Sequence, residues 1–177
     1  MDKSNGLMYG VAAVKFKKSE GEEKTLGWLD ENGMQPAGNA PTFMDVMAAQ
    51  VTDGPVDSIM TNPGSDAFTM NLIKLDAQSM VDVFGGKKEA DDSYTPPVKF
   101  VANGVLTISM HSGHSFRIFN ARLSRNGFQN GINMQNVLAM GIRVDMLKPT
   151  DGKERRYRTY PPGVTPDESD STADAAG

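Results

Sequence analysis

Gly104–Leu123, GVLTISMHSGHSFRIFNARL, decides the fold. Leu106, Ile108 and Met110 fall on one face of an extended chain, and Val105, Thr107 and Ser109 on the other. This period of two is that of a half-buried strand. Ser112-Gly113-His114 reads as a short turn, with Gly113 free to take positive φ. A second strand follows, with Phe116 and Ile118 pointing one way and Ser115 and Arg117 the other. After Phe119-Asn120 the phase slips by one, so that Ala121 and Leu123 carry the small and apolar positions. Such a slip inside a strand predicts a β-bulge. Five or six buried apolar side chains in this pair contribute on the order of 10 kcal/mol before the entropy of ordering them.

Working outward, the 177 residues suffice for one domain with a real core. Eighteen glycines and ten prolines imply many turns and favour β over all-α architecture. The absence of cysteine removes disulfides, thiolate zinc sites and cysteine nucleophiles together. A net charge of -4 argues against a protein that grips phosphates, which requires clustered Lys and Arg. The apolar run near the N-terminus is interrupted by Lys15 and does not read as a signal peptide. No apolar stretch reaches membrane-spanning length. The expectation is a soluble chain made in the cytoplasm, with no membrane partner.

Upstream, Leu7 to Phe16 reads as a first strand and Lys17 to Lys24 as a charged turn. Thr25 to Asp30 reads as a short strand with Leu26 and Trp28 on one face. Asn32-Gly33 is a turn signal, and Met34 to Pro41 a loop. Thr42 to Val51 fits a short helix or a strand, and its neighbours favour the strand. Thr52 to Asp66 is turn chemistry throughout, long for a connection in a compact domain. Ala67 to Leu75 is a strand. Asp76 reads as the N-cap of a helix over Ala77 to Phe84, stopped by Gly85-Gly86. Ala77, Met80, Val81 and Phe84 would form its buried face.

Lys87 to Pro97 reads as a polar loop, Val98 to Ala102 as a strand, and Asn103-Gly104 as a hairpin turn. Ser124 to Asn136, with the turn signals Asn126-Gly127 and Asn130-Gly131, reads as a loop or small excursion. Val137 to Leu147 reads as the last strand: Leu138, Met140, Ile142, Val144 and Met146 face the core, and Ala139, Gly141, Arg143 and Asp145 face solvent or a channel. From Lys148 the chain turns basic and aromatic. It ends in an acidic Ser/Ala-rich stretch with Asp167, Glu168, Asp170 and Asp174, and the whole extension from Lys148 is expected to be disordered in a free subunit.

Catalytic and metal-binding patterns are sparse. His111 and His114 flank the central turn without an obvious third ligand. Glu22-Glu23 and Asp91-Asp92 are adjacent carboxylates in predicted loops, where solvation is the ordinary reading. No phosphate-binding glycine loop and no nucleophile elbow is present. No catalytic residue, metal or cofactor is therefore expected. Twelve methionines spread over nearly every element read as adaptable core filler, or as padding at subunit contacts. Arg155-Arg156-Tyr157-Arg158-Thr159-Tyr160 fits the acidic surface of a sister subunit better than DNA.

In order, the elements resemble the tail tube proteins, or major tail proteins, of long-tailed bacteriophages. The likeness rests on Trp28-Leu29-Asp30-Glu31-Asn32-Gly33 after a first strand and on the long turn-rich connection before Ala67. The strand Phe68 to Leu75 then runs into a short helix ending Phe84-Gly85-Gly86. Tyr94-Thr95-Pro96-Pro97, the hairpin into Phe119-Asn120-Ala121-Arg122 and the close at Leu147-Lys148-Pro149 complete it. It is a pattern of elements covering residues 7 to 149, with no counterpart for the rest.

The resemblance implies an antiparallel β-sandwich or half-barrel with one short packed helix, to which the sequence itself adds long loops and a C-terminal extension. It divides the chain into a β domain over 1–149 and a polar extension over 150–177. Six copies would form a ring, and rings would stack into a virion tail tube that other tail proteins cap and DNA transits without specific binding. Asp53, Pro55, Val56, Ile59, Met60 and Asn62 of the long connection, with Arg155, Arg156 and Tyr157, become the candidate inter-subunit contacts. The rival readings are a head-decoration or joining protein and a β-barrel for a small apolar ligand.

Overall fold

Alternating apolar residues lay about half of the described chain down as antiparallel strands in the computed structural model, which describes residues 6–19, 21–150, 152 and 155–166. The strands are β1 (Val11–Lys18), β2 (Glu23–Thr25), β3 (Leu29–Pro36), β4 (Thr42–Val46), β5 (Asp57–Asn62) and β6 (Ala67–Leu72). Helix α1 (Ala77–Phe84) follows, then β7 (Lys87–Lys88), β8 (Tyr94–Thr95), β9 (Val101–Met110), β10 (Ser115–Gln129), β11 (Ala139–Met146) and β12 (Tyr157–Tyr160). The main sheet runs β2-β1-β9-β10-β11-β6-β3, and β12 joins it beside β10. β4–β5 and β7–β8 form two small separate ribbons.

The sheet curls into a half-barrel because consecutive strands occupy its two margins. Leu26 N–H donates to Val14 O of β1, and two residues later Trp28 O accepts from Ile73 N–H just past β6. The chain thus steps from one margin to the other across Gly27. Leu106, Ile118, Leu123, Ile142 and Val144 are fully buried on the inner face. Phe16, Met70 and Leu72 join them in one core. Helix α1 packs on this core through Met80, Val83 and Phe84. The Phe84 ring meets Phe100 edge-on at 4.8 Å, and Lys24 ties the helix to β2 through Asp82 at 2.6 Å.

The predicted central hairpin is present, with its turn at Ser112-Gly113. The predicted bulge is present too. The β9–β10 register shifts between Ile118 and Ala121. The same two bulged residues hold the ends of the excursion between β11 and β12. Asn120 O accepts from Leu147 N–H at 2.9 Å, and Phe119 N–H donates to Arg156 O at 3.1 Å. Asn120 Nδ2 also reaches Lys148 O at 2.7 Å.

Several expectations are corrected. Asn32-Gly33 and Asn126-Gly127 lie inside β3 and β10 at register shifts. Their glycines have φ 61 and 76, so the turn chemistry makes bulges rather than chain reversals. Asn103-Gly104 is not a turn, because β9 continues through it. Gly104 passes so close to the Lys17 backbone that a Cβ would collide with Lys17 O. Leu26 is buried, whereas Trp28 is 74% exposed, since the margin switch at Gly27 breaks the alternation. The helix buries Val83 rather than Val81 as its third apolar contact.

The outer face of β11 is covered rather than open. Ala139 and Gly141 are buried, and Asp145 is 9% exposed. Asp145 takes 2.8 Å hydrogen bonds from Arg122 Nη2 and Arg143 Nε. Burial pushes its carboxyl pKa up, but the two arginines outweigh burial and hold it below the ordinary value. Nor is β11 the last strand. Residues Tyr157–Tyr160, expected to be disordered, pair with Ile118–Ser115 of β10 in this same chain. The acidic positions Asp167, Glu168, Asp170 and Asp174 lie outside the described residues.

Asp76 caps α1 as the sequence predicts, accepting from Ser79 N–H at 3.0 Å and Ser79 Oγ at 2.7 Å. These bonds, with Lys74 nearby, lower its pKa from 3.8 to about 2. A depressed carboxyl pKa stabilises the fold above the unfolded value and loses that effect as pH falls through the folded one. Asp76→Ala should therefore lower the melting temperature at neutral pH, while Asp76→Asn, still an acceptor, retains most of it. The gap between wild type and Asp76→Ala should narrow as pH drops from about 4 toward 2, a trend calorimetry at stepped pH would read.

Candidate assembly surface

The segment between β3 and β6 leaves the barrel as a two-stranded arm. The expectation of an unstructured connection over 52–66 is corrected here, because Asp57–Asn62 is β5 and pairs with β4. Thr42 to Val46 takes the strand alternative of its two readings. The arm continues the β3–β6 pair through a narrow neck. Asn39 and Ser65 exchange both backbone hydrogen bonds, at 2.8 and 2.9 Å. Asp66 O accepts from Met146 N–H at 2.9 Å and anchors the root to β11.

Beyond the neck the arm has no strand partner other than itself among the described residues. Met44 opposes Ile59 on one face, and Phe43 opposes Met60 on the other. All four are exposed, Phe43 at 56% and Ile59 at 48%. Met47, Val51 and Val56 extend the apolar surface into the connecting loop. Its polar bonds are local: Ser58 Oγ donates to Asp45 at 2.9 Å, and the Thr42 and Thr61 hydroxyls lie 3.1 Å apart. A two-stranded ribbon with apolar side chains on both faces is marginal alone in water. An apolar surface of this kind marks an interaction site.

The nine residues expected at subunit contacts fall into two groups. Asp53, Pro55, Val56, Ile59, Met60 and Asn62 are all exposed on the arm. Arg155, Arg156 and Tyr157 sit on the barrel beside the arm's root. Arg156 reaches Asp66 at 3.6 Å, and the Arg155 guanidinium lies 4.3 Å from the Phe119 ring centroid. Tyr157 stacks on Phe116 at 4.8 Å, and Phe116 meets Phe68 edge-on at 6.1 Å. Between Tyr157 and the neck runs a groove of about 500 Å³, floored by Phe68, Phe116 and Met146. The structure thus brings the second group to the root of the first.

Sequence reasoning missed Phe43 and Trp28. Phe43 lay in an ambiguous stretch, and only its place in an apolar run beside turn chemistry signalled it. Met44, Met47 and Met60, which by sequence fit either core filler or contact padding, are all exposed. His114 is buried, its Nδ1 3.1 Å from Ser112 Oγ, while His111 is exposed. No cluster of three or more His, Cys, Asp or Glu suited to a metal occurs among the described residues. No helix among them is long and apolar enough to cross a membrane.

The neck depends on Gly64, whose φ is 75 and whose added Cβ would lie 2.5 Å from Asn39 O. Gly64→Ala should destabilise this junction by about 1–3 kcal/mol. Amide exchange within 42–62 should accelerate while β9–β10 protection persists; unchanged exchange in the arm would show the neck to be dispensable. The sequence matches no known protein-family profile, and no curated protein sequence matches it.

Proposed function

We propose that the chain is a structural, non-enzymatic subunit that assembles head-to-tail into rings, six copies in each, and that the rings stack as the tail tube of a long-tailed bacteriophage. The observation that carries this reading is the arm over 42–62, whose apolar side chains stand in solvent on both faces. An arm that leaves its own barrel and offers strand edges is suited to a neighbouring copy. A contact between an arm and a different surface is heterologous, and such contacts close into rings or propagate as filaments. The order of elements adds the resemblance described above.

Two further features favour a tube over a ligand-binding barrel. The barrel interior is filled by side chains such as Leu106, Ile118 and Ile142, which argues against a ligand site in the core. The net charge of -4 suits a bore through which DNA slides, since like charge prevents tight phosphate contacts. In this role the partners are further copies, other tail proteins at the tube ends and DNA in transit, and the location is the virion tail after assembly in the bacterial host cytoplasm.

Replacing 42–62 by a short Gly-Ser linker should keep the barrel folded and abolish polymerisation. Sedimentation and negative-stain microscopy of the concentrated protein read the outcome. Wild type should give rings or tubes and the armless chain a monomer with an intact melting transition. A wild-type chain that stays monomeric at every concentration overturns the proposal.

A further inference from the structure

The outer face of the sheet carries a row of cations that neither the core nor the arm uses. Lys15 of β1 lies opposite Thr107 of β9, Thr107 opposite Arg117 of β10, and Arg117 opposite Arg158 of β12. Directly opposed residues share a face. This face is the reverse of the one that buries Leu106, Ile108 and Ile118. Arg117 is only 5% exposed. A guanidinium so deeply buried, set directly across from a second arginine, requires an anion. Glu23, opposite Lys17 on β2, shares the face and lies 3.6 Å from Lys15, so it serves the β1 end of the row. Thr107 Oγ1, between Lys15 and Arg117, is buried with no hydrogen-bond partner among the described residues.

Beyond β12 the chain turns back toward this row. Val164 N–H donates to Pro161 O at 3.2 Å, closing a turn in which Gly163 has φ 87. With Lys15, Glu23, Thr107 and Ser115, residues 163–166 then line a cleft of about 380 Å³. The chain thus reaches Pro166 over the outer face, beside the row. The residues that follow, Asp167 to Gly177, hold Asp167, Glu168, Asp170 and Asp174 and no Lys or Arg. They lie outside the described residues. Three strand-to-strand steps separate Lys15 from Arg158, about 14 Å. Residues 167–174 can span up to about 27 Å when extended, so reach and charge both suit the row.

We infer that the acidic segment 167–174 straps back across the Lys15–Arg117–Arg158 row of its own chain, its carboxylates set against the two arginines and accepting from Thr107 Oγ1. The contact is made within one chain, so it goes beyond the proposed function and does not depend on it. Its effect falls on β12. That strand is four residues long and pairs only β10 among the described residues. It also carries Arg158 into opposition with Arg117. A carboxylate between the two guanidiniums replaces repulsion by charge-assisted hydrogen bonds to both and pins β12 to β10.

A double-mutant cycle tests this, at concentrations where sedimentation gives a monomer. One variant neutralises the segment with Asp167→Asn, Glu168→Gln, Asp170→Asn and Asp174→Asn. The other is Arg158→Gln, at an exposed position; the buried Arg117 is left in place. Circular dichroism first establishes that both are folded, and Lys15→Gln replaces Arg158→Gln in the cycle if the latter is not. Amide exchange over 157–160 should quicken about twofold to fivefold when the segment is neutral, while β1–β9 amides stay as they are. The difference should shrink in about 1 M salt, where the screening length falls to about 3 Å. In the Arg158→Gln background the same neutralisation should have a smaller effect, the mark of direct contact rather than of overall charge. Exchange over 157–160 that ignores the segment overturns the strap, and so do two changes whose effects simply add. An effect that grows with protein concentration assigns the segment to a second copy and overturns the contact within one chain.

Discussion

Two backbone edges of one long strand hold the molecule together. Along one side β10 bonds β9; along the other it bonds β11 over 121–129 and β12 over 115–118. The change of partner falls at the bulge of Phe119 and Asn120, where the outgoing and returning ends of the 147–156 excursion are both hydrogen-bonded. A bulge leaves a residue without its regular ladder partner, and here those spare groups clamp the excursion. Without the register shift, β12 would not take up the line that β11 leaves. Tyr157 would then not reach Phe116, and the groove beside the arm would lack its aromatic wall.

The parts of the fold legible in the sequence were those governed by local period. Leu106, Ile108 and Ile118 announce β9 and β10 because alternation needs no knowledge of the rest of the chain. The slip at Phe119-Asn120 announces the bulge for the same reason, and Asp76 with Gly85 brackets α1. What failed was the meaning of Asn-Gly. At positions 32–33, 103–104 and 126–127 the same dipeptide that closes hairpins sits inside strands. Whether such a pair reverses the chain or bulges it depends on which strand lies alongside, and that is tertiary information. Trp28 failed likewise, because the step between sheet margins at Gly27 is set by how the barrel closes.

The candidate site was legible in composition and hidden in geometry. The turn-rich 52–66 segment and the basic run at 155–158 both stood out, but nothing in their spacing placed them beside one another. That juxtaposition comes from β12 adding to β10 and from Asp66 bonding Met146 across the β6–β11 pair. β5 was unreadable for a physical reason. Asp57–Asn62 is exposed at every position, so no buried face imposes an alternation. A strand stabilised only by its hairpin partner, and by whatever later covers it, has no amphipathic signature to read.

An uncovered apolar arm is a liability unless its burial is controlled. The carboxylates at 45, 53 and 57 keep the free arm soluble and repel a second arm, which discourages arm-to-arm pairing of the kind that bare strand edges invite. A single contact made by one arm is small and therefore weak. On the proposed reading a subunit gives one arm and accepts another, so both contacts act together and the second forms at the high effective concentration set by the first. Assembly on the proposed reading is then cooperative. Subunits stay apart while dilute and lock once a ring or tube end presents both surfaces at once.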